Sequence, residues 1–408
     1  MNSAKEPPAA GLRWIAVATF ALFTALNYLD RQTLSALAPE VKAEFRLSNE
    51  DYGWLQSAFY LVYALASPFA GLFIDRAGLH AGALLCITAW SLAAMATGWA
   101  ADFATLALCR MALGVAEAGG IPAFGKAGVL YLQPKERALG TGLNSLGVSL
   151  GSLSAPLVAG FFAVRYGWRA AFVICGAVSL LWLPLWLTVR RRIPPPDPTL
   201  QSTNPAQTPA EMLRDARLWI LVVANILVMS TYQLWTIWTT LFLVQRYQLP
   251  APEANRIYAW IPPIFAAVGG LFGGWLALRW MNAGDTWAAA RGRVILYGAL
   301  VSLLTIAVPL MPTPALATAM VSLSFLCANA VSANVYALPQ DIFGPRRTAF
   351  AVSAITSGYG LMLTLYLPFL GRIIDRYGFF PVCALNAALP LAGWLLLHHT
   401  ALRPERAR

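Results

Sequence analysis

Long apolar runs recur along the whole chain, and nothing constrains its fold more. Crossing a bilayer as a helix takes roughly 20 mostly apolar residues. Runs of that kind occupy residues 12–36, 53–74, 80–100, 104–130, 138–162, 169–189, 217–243, 256–278, 292–311, 314–339, 348–371 and 379–398. Inside lipid every backbone polar group needs a partner, which leaves helices and closed β-barrels. The runs are continuously apolar rather than alternating, so barrel strands are excluded. The expected fold is an all-α membrane protein with twelve transmembrane helices. Composition agrees: 12% of residues are charged, against about 25% in a soluble domain. The opening stretch, MNSAKEPPAAG, leads directly into the first span, so no cleavable signal peptide is expected.

A net charge of +11 raises the question of a nucleic-acid partner. Position answers it. With the N-terminus inside, the cytoplasmic ends and loops hold more than twice as many Lys and Arg as the outer loops, with Arg190, Arg191 and Arg192 the densest group. The positive-inside rule therefore gives cytoplasmic N- and C-termini and accounts for the charge without nucleic acid. The five cysteines stand singly in apolar segments and the three histidines near segment ends. Neither set has the spacing of a metal site or a disulfide framework.

Between the sixth and seventh spans lies RRRIPPPDPTLQSTNPAQTPAEMLRDAR, polar and rich in proline. It reads as a linker near the middle of the chain. The expected organisation is a cytoplasmic N-terminus (1–11), a six-helix bundle (12–189), a cytoplasmic linker (190–216), a second six-helix bundle (217–398) and a cytoplasmic tail (399–408). An internal repeat supports it. GLFIDRAG (71–78), GFFAVRYG (160–167) and GRIIDRYG (371–378) follow the second, fifth and eleventh spans, and a weaker copy, GWLALRW, starts at Gly274 after the eighth. With two copies inside and two outside, the pattern is that of three-helix units repeated with inverted topology. The first copy supplies a candidate conformational motif: Gly71, Asp75, Arg76 and Gly78. The glycines of GGLFGG (Gly269–Gly274) suit close helix packing.

Charge inside the membrane is costly and marks function. Asp30 and Arg31 stand side by side near the end of the first span, Arg31 roughly 7 Å from its outer end at 1.5 Å per residue. Arg110 lies at a similar depth in the fourth span, and Glu117 follows two helical turns later on the same face. A guanidinium is a planar fork matched to a carboxylate, so Arg31 and Arg110 are candidate anion-binding residues. Structural ion pairing is the plainer alternative for both. Burial favours a neutral Glu117, whereas a nearby Arg favours the ion, so this group is suited to loading and releasing a proton. Asp30 is a second proton candidate or the counter-charge of Arg31. Lys126 lies near the cytoplasmic end of the fourth span and is expected to snorkel to the headgroups.

The second half carries polar and aromatic groups in place of charge. Tyr232, Gln233, Trp238, Asn334 and Ser357 are candidate contacts for substrate hydroxyls and ring faces, joined by Asn27, Tyr28, Tyr60, Tyr63 and Asn144 from the first half. Trp235, Asn329, Tyr336 and Tyr359 belong to the same polar set. Packing and helix–helix hydrogen bonding are the plainer roles for each.

Several motifs resemble a known family. GLFIDRAG is similar to the signature loop of the major facilitator superfamily, and RMALGVAEAGG (110–120) resembles its fourth-helix motif. NYLDRQTLSALAP, EAGGIPAFGKAG, QPKERALGTGLNSLGVSLGSLSAP and YGWRAAF resemble the anion:cation symporters, and within them the bacterial hexuronate and sugar-acid transporters. The resemblance spans the chain and is most specific over residues 25–170. YALASP in the second span and Trp238 followed by TTLF in the seventh depart from the family pattern. The resemblance implies proton-coupled symport of a small organic anion, a hexuronate or aldonate, by a monomer in the cell inner membrane. The proton is then the coupling ion and no cofactor is needed. Spinster-type lipid transporters share the N-Y-x-D-R first span, so a lipid or drug exporter of the same fold is the alternative. No catalytic constellation lies at membrane depth, so an enzyme is not expected.

Overall fold

The structure, a computed structural model, describes residues 10–132, 136–193, 209–343 and 348–402. Among these residues it holds helices and no strand. In chain order they are α1 (Ala10–Ala36), α2 (Ala38–Phe45), α3 (Asn49–Thr97), α4 (Phe103–Glu117), α5 (Gly120–Tyr131), α6 (Arg137–Leu180), α7 (Trp182–Arg192), α8 (Pro209–Leu213), α9 (Ala216–Tyr247), α10 (Ala251–Glu253), α11 (Pro262–Asn282), α12 (Trp287–Ser302), α13 (Pro314–Phe343), α14 (Thr348–Tyr377) and α15 (Phe379–His399). A π-helical stretch, Ala254–Ala259, leads from α10 towards α11, and a 3-10 stretch, Leu303–Leu310, prolongs α12. Most of the expected linker, 194–208, and the tail 403–408 lie outside the described residues.

Ten stretches among the described residues are long and apolar enough to cross a membrane. One of them, Gly142–Arg192, contains two spans, because the backbone of α6 breaks at Gly167. In α3 the break at Gly78 separates a further rod, 49–77, from the next. This is the expected twelve-helix architecture of a multi-pass membrane protein.

The repeat read from the sequence is a structural device. Gly78, Gly167 and Gly378 close its three full copies, and all three take a left-handed φ, of 82°, 83° and 72°. Only glycine adopts that backbone without steric cost. One residue thus turns the chain from one membrane rod into the next, which is why these copies lack an ordinary loop.

Contacts divide the chain into two compact units. One comprises Met1–Thr33 and Val62–Asn204, the other Leu34–Leu61 and Pro205–Arg408. In the first unit an aromatic core joins α1, α3 and α7. Phe23 packs edge-on against Trp90, with ring centroids 4.5 Å apart, and Phe20 packs the same way against Trp182 and Trp186. The Trp182 indole N–H donates to the Thr19 carbonyl at 2.7 Å. Gly147 and Gly151 let α6 lie directly on α1, where an added Cβ would strike the Ala21 and Ala25 carbonyls. Arg169, just past the Gly167 break, donates to the Gly98 and Ala100 carbonyls at 3.2 and 2.6 Å and so caps the end of α3.

In the second unit Leu221, Val222 and Val228 of α9 pack with Ile295, Val331, Val335, Ile355 and Leu397. The expected role of GGLFGG holds for one face of α11. Gly269 and Gly273 meet the backbone of Leu326 and Ala330 on α13, while Gly270 and Gly274 have open space beside them. Small residues spaced four apart let two helix backbones approach.

Two glycines separate these effects. A Cβ at Gly167 meets nothing within 4 Å, so Gly167→Ala carries only the cost of an extended positive-φ backbone, of order 1–3 kcal/mol. Gly151→Ala has no such backbone cost and instead drives a Cβ into the Ala25 backbone and Tyr28, which is expected to lower the thermal unfolding midpoint further. Thermal unfolding of both purified variants in detergent checks the order.

A buried charge cluster as the candidate functional site

The first unit gathers four charged groups expected from the sequence. Glu117 is fully buried, and Asp30, Arg31 and Arg110 keep at most 8% of their surface exposed. Arg31 donates from Nε to Glu117 Oε2 at 2.8 Å and from Nη2 to Asn27 Oδ1 at 3.2 Å. Its guanidinium carbon lies 4.7 Å from the ring centroid of Tyr28 and 4.8 Å from that of Tyr63. Those distances are in the range of a cation–π contact. Asn27, Tyr28, Tyr63 and Glu117 therefore hold one guanidinium.

Asp30 takes a different partner from its neighbour. Its Oδ2 accepts a hydrogen bond from Ser179 Oγ on α6 at 2.6 Å. Successive residues of an α-helix point about 100° apart, so adjacent charges on α1 reach different helices. The pairing of Asp30 with Arg31, offered by the sequence as one alternative, gives way to Arg31–Glu117. Ser179 carries no sequence signal of its own, being one small polar residue in an apolar span. Each carboxylate keeps one buried oxygen, Asp30 Oδ1 and Glu117 Oε1, without a hydrogen-bond partner among the described residues. Arg110 sits two turns before Glu117 on α4, and both are buried.

The local backbone explains how Glu117 reaches Arg31. α4 ends at Glu117 and α5 begins at Gly120. The interruption falls on Ala118 and Gly119, where an added Cβ at Gly119 would strike Cys86, and one at Gly120 would press on Asn27. Small residues at the break bring α1 and α3 against the chain at the acid.

Other expected residues are placed as follows. Asn144 accepts from Thr24 Oγ1 at 2.7 Å, tying α6 to α1. Lys126 does not snorkel. Its Nζ donates to the Ile74 carbonyl at 3.0 Å, satisfying a carbonyl in the last turn before the Gly78 break. Arg76 is exposed, Gly71 and Gly78 flank the motif, and the Asp75 side chain lies outside the described ones.

In the second unit Gln233 is the centre of a polar trio. Its Nε2 donates to the Tyr60 hydroxyl at 2.7 Å, and its Oε1 accepts from the Tyr359 hydroxyl at 2.8 Å. Tyr232 packs edge-on against Phe325, and Ser357 is half-buried. Asn334 is taken up by packing. It donates to the Gly273 and Ala330 carbonyls at 3.1 and 2.9 Å and accepts from Arg291, which also pairs with Asp341 at 2.6 Å. Trp238 has no exposed surface and packs edge-on against Tyr52, which makes it a core residue.

A bundle of membrane rods around buried charges is the build of a polytopic membrane protein. The comparisons give the family: the Major Facilitator Superfamily matches residues 20–366, and the chain belongs to it. It is 28% identical over 407 residues to the hexuronate transporter of Escherichia coli (strain K12), covering 95% of this chain and 93% of that one. It is 29% identical over 286 residues to the galacturonate transporter of Dickeya chrysanthemi, covering 66% and 82%. Its fold matches the crystal structure of a bacterial homologue of the human lysosomal transporter Spinster, with a TM-score of 0.70 and 23% identity over 95% of each chain.

The pairing of Arg31 with Glu117 sets a stability test. Removing one member of a buried pair leaves the other charge stranded, at about 3–5 kcal/mol. Glu117→Leu is expected to lower the unfolding midpoint sharply, and Arg31→Met added to it to recover most of the loss. Thermal unfolding of the single and double variants measures this.

Proposed function

We propose that the protein is a proton-coupled symporter of a small organic anion, a hexuronate, aldonate or similar sugar acid, working by alternating access. The observation that carries the reading is the buried Arg31–Glu117 pair. One guanidinium fork faces one internal carboxylate, and a substrate carboxylate competes for the same fork. Charge balance then couples the two ions. Bringing an anion into a low-dielectric site is costly unless a charge there is cancelled. Protonation of Glu117 cancels one and releases Arg31 to the substrate. Loss of that proton restores the internal pair and expels the anion.

Asp30, held by Ser179, serves as the second proton site, and Arg110 supplies the second buried positive charge. Tyr28 and Tyr63 hold the Arg31 plane in place for a carboxylate. The protein lies in the cell inner membrane with both termini cytoplasmic, a reading supported by the distribution of Lys and Arg. The relatives named for hexuronate and galacturonate transport support the substrate class. The likeness to the Spinster homologue concerns the fold, which sugar-acid transport and lipid export share.

Glu117→Gln in proteoliposomes separates coupling from binding. It is expected to lose uptake driven by a pH gradient and to keep substrate exchange. Normal accumulation by this variant would remove Glu117 from the coupling step. For the substrate class, the measurement is a thermal-shift panel of sugar acids on the wild-type protein, where at least one carboxylated sugar is expected to raise the midpoint. A panel in which none does, with lipids stabilising instead, would favour export.

A further inference from the structure

The second unit holds a cavity that the transport reading does not use. It measures about 660 Å³ and lies between one stripe of α12 and one stripe of α15. On α12 its floor is Ala288, Ala289 and Gly292, with Leu296 a turn further in. Small side chains at these positions leave a trough along the helix, and Trp287 and Trp394 stand beside it as walls. Trp394 is fixed in place. Its indole N–H donates to the Gly292 carbonyl at 3.2 Å, and its ring stacks on His398 with centroids 4.8 Å apart. Leu402, just past α15, turns back through an N–H bond to the Leu397 carbonyl at 2.9 Å and closes the trough over Gly292. From Thr286 to Leu296 the trough runs roughly 15 Å along α12.

One end of the trough is polar and the rest is apolar. Arg293 lines the cavity and is about half exposed. It lies two turns into α12, yet its side chain reaches back to Asp285, just ahead of the helix. The guanidinium donates to that carboxylate from Nη1 at 2.6 Å and from Nη2 at 3.4 Å. This uses two of its five donors, and an exposed ion pair is worth little, so Arg293 is able to take a second acceptor. The start of α12 opens at the same end. Thr286 caps it, accepting from the Ala289 N–H at 3.3 Å, while the amides of Trp287 and Ala288 have no acceptor within the helix. Such an end favours negative charge. Asp285 is the negative neighbour there, and Arg293 already holds it.

We propose that this cavity binds a phospholipid of the inner leaflet, with its phosphate on Arg293 and the start of α12 and an acyl chain along Ala289, Gly292 and Leu296. The two ends of the cavity ask for different chemistry. A free phosphate ion satisfies the polar end and leaves an apolar trough unfilled, whose lining then forgoes its contacts. A fatty chain without a phosphate does the reverse. A phospholipid meets both. Its surroundings agree, because Trp287, Trp394 and His398 are rings of the kind that suit a membrane boundary, and basic pockets between spans on the cytoplasmic side suit phospholipid headgroups. The choice of the inner leaflet rests on the orientation given above, in which α12 starts and α15 ends at the cytoplasmic side.

The test places the full chain in vesicles of phosphatidylethanolamine and phosphatidylglycerol that contain phosphatidylglycerol with a photoactivatable acyl chain. Peptide mapping after illumination is expected to find the label on α12 and α15, around Leu296 and Trp394. Arg293→Gln is expected to cut this labelling roughly tenfold, the value of a hydrogen bond to a charged group. Ala289→Leu fills the trough, leaves Arg293 in place and is expected to cut it as far. Labelling elsewhere on the chain is expected to stay unchanged in both variants, which separates loss of the site from misfolding. Undiminished labelling of α12 and α15 in both variants would overturn the site. A loss in Ala289→Leu alone, or equal labelling by a photoactivatable diacylglycerol, would remove the phosphate from Arg293. A loss in Arg293→Gln alone would remove the chain from the trough. Protection by millimolar inorganic phosphate would replace the lipid with a free anion. Neither substrate nor proton enters the experiment, and the label reads the cavity whichever leaflet it faces, so failure of the transport reading or of the orientation is seen separately.

Discussion

The hydrogen bond from Arg31 to Glu117 is the interaction around which the first unit is organised. Burying a charged pair costs several kcal/mol per ion and is repaid only when geometry and additional hydrogen bonds are good. Each surrounding feature meets part of that cost. Asn27 takes one guanidinium donor, and the faces of Tyr28 and Tyr63 take the rest of the charge at short range. The interruption of the fourth membrane rod at Ala118 and Gly119 lets Glu117 meet α1 with little intervening bulk. Gly147 and Gly151 let α6 lie on α1 just before the charged turn, and Ser179, on the rod past the Gly167 break, holds Asp30. A purely structural helix tie needs none of this apparatus. Hydrophobic residues of similar volume would do the same work with less strain on the fold.

What the sequence showed and what it concealed divide along a physical line. Rods and breaks were legible, because apolar run length and glycine are local signals. The three repeat glycines could be named before their φ values were known. Buried charges were legible as well, since a charge in an apolar run has no inexpensive explanation. Their pairing was not. Asp30 and Arg31 invite each other when written side by side, but helical geometry sends them to Ser179 and Glu117. Neutral polar groups were least legible. Asn334 and Gln233 look alike in an apolar span, yet one closes packing between α11 and α13 while the other joins two tyrosines. An amide in lipid must find a partner whatever its purpose, so its presence does not tell which purpose it has. Lys126 was read from depth alone, which misses that a helix break leaves carbonyls in need of a cation.

The same logic links the repeats to motion. A one-residue turn with a left-handed glycine leaves the ends of two rods close together, and the polar residues of the motif are carried to that end. In GRIIDRYG they meet the unpaired amides of another helix. The second copy, GFFAVRYG, has Val164 where the other two full copies have Asp. It keeps the turn and loses the grip. Turning and gripping are therefore separable functions of one motif, the first carried by glycine and the second by the acid four residues after the leading glycine.

In the proposed cycle, coupling follows from scarcity of compensating charge. Asp30, Arg31, Arg110 and Glu117 sum to zero when all are ionised, so the cluster rests near neutrality without substrate. An incoming carboxylate disturbs that balance by one unit, and one proton on Glu117 corrects it by the same amount. No long-range signal is required, because anion and proton act on a single guanidinium at contact distance. The ratio of protons to anions then depends on Asp30. If Ser179 keeps it ionised throughout, one proton accompanies one anion. If it takes up and releases a proton of its own as the pair opens and closes, a second proton moves, and transport of a monovalent anion carries net positive charge. The membrane potential drives only the second mode, and the difference lies in a single hydroxyl contact.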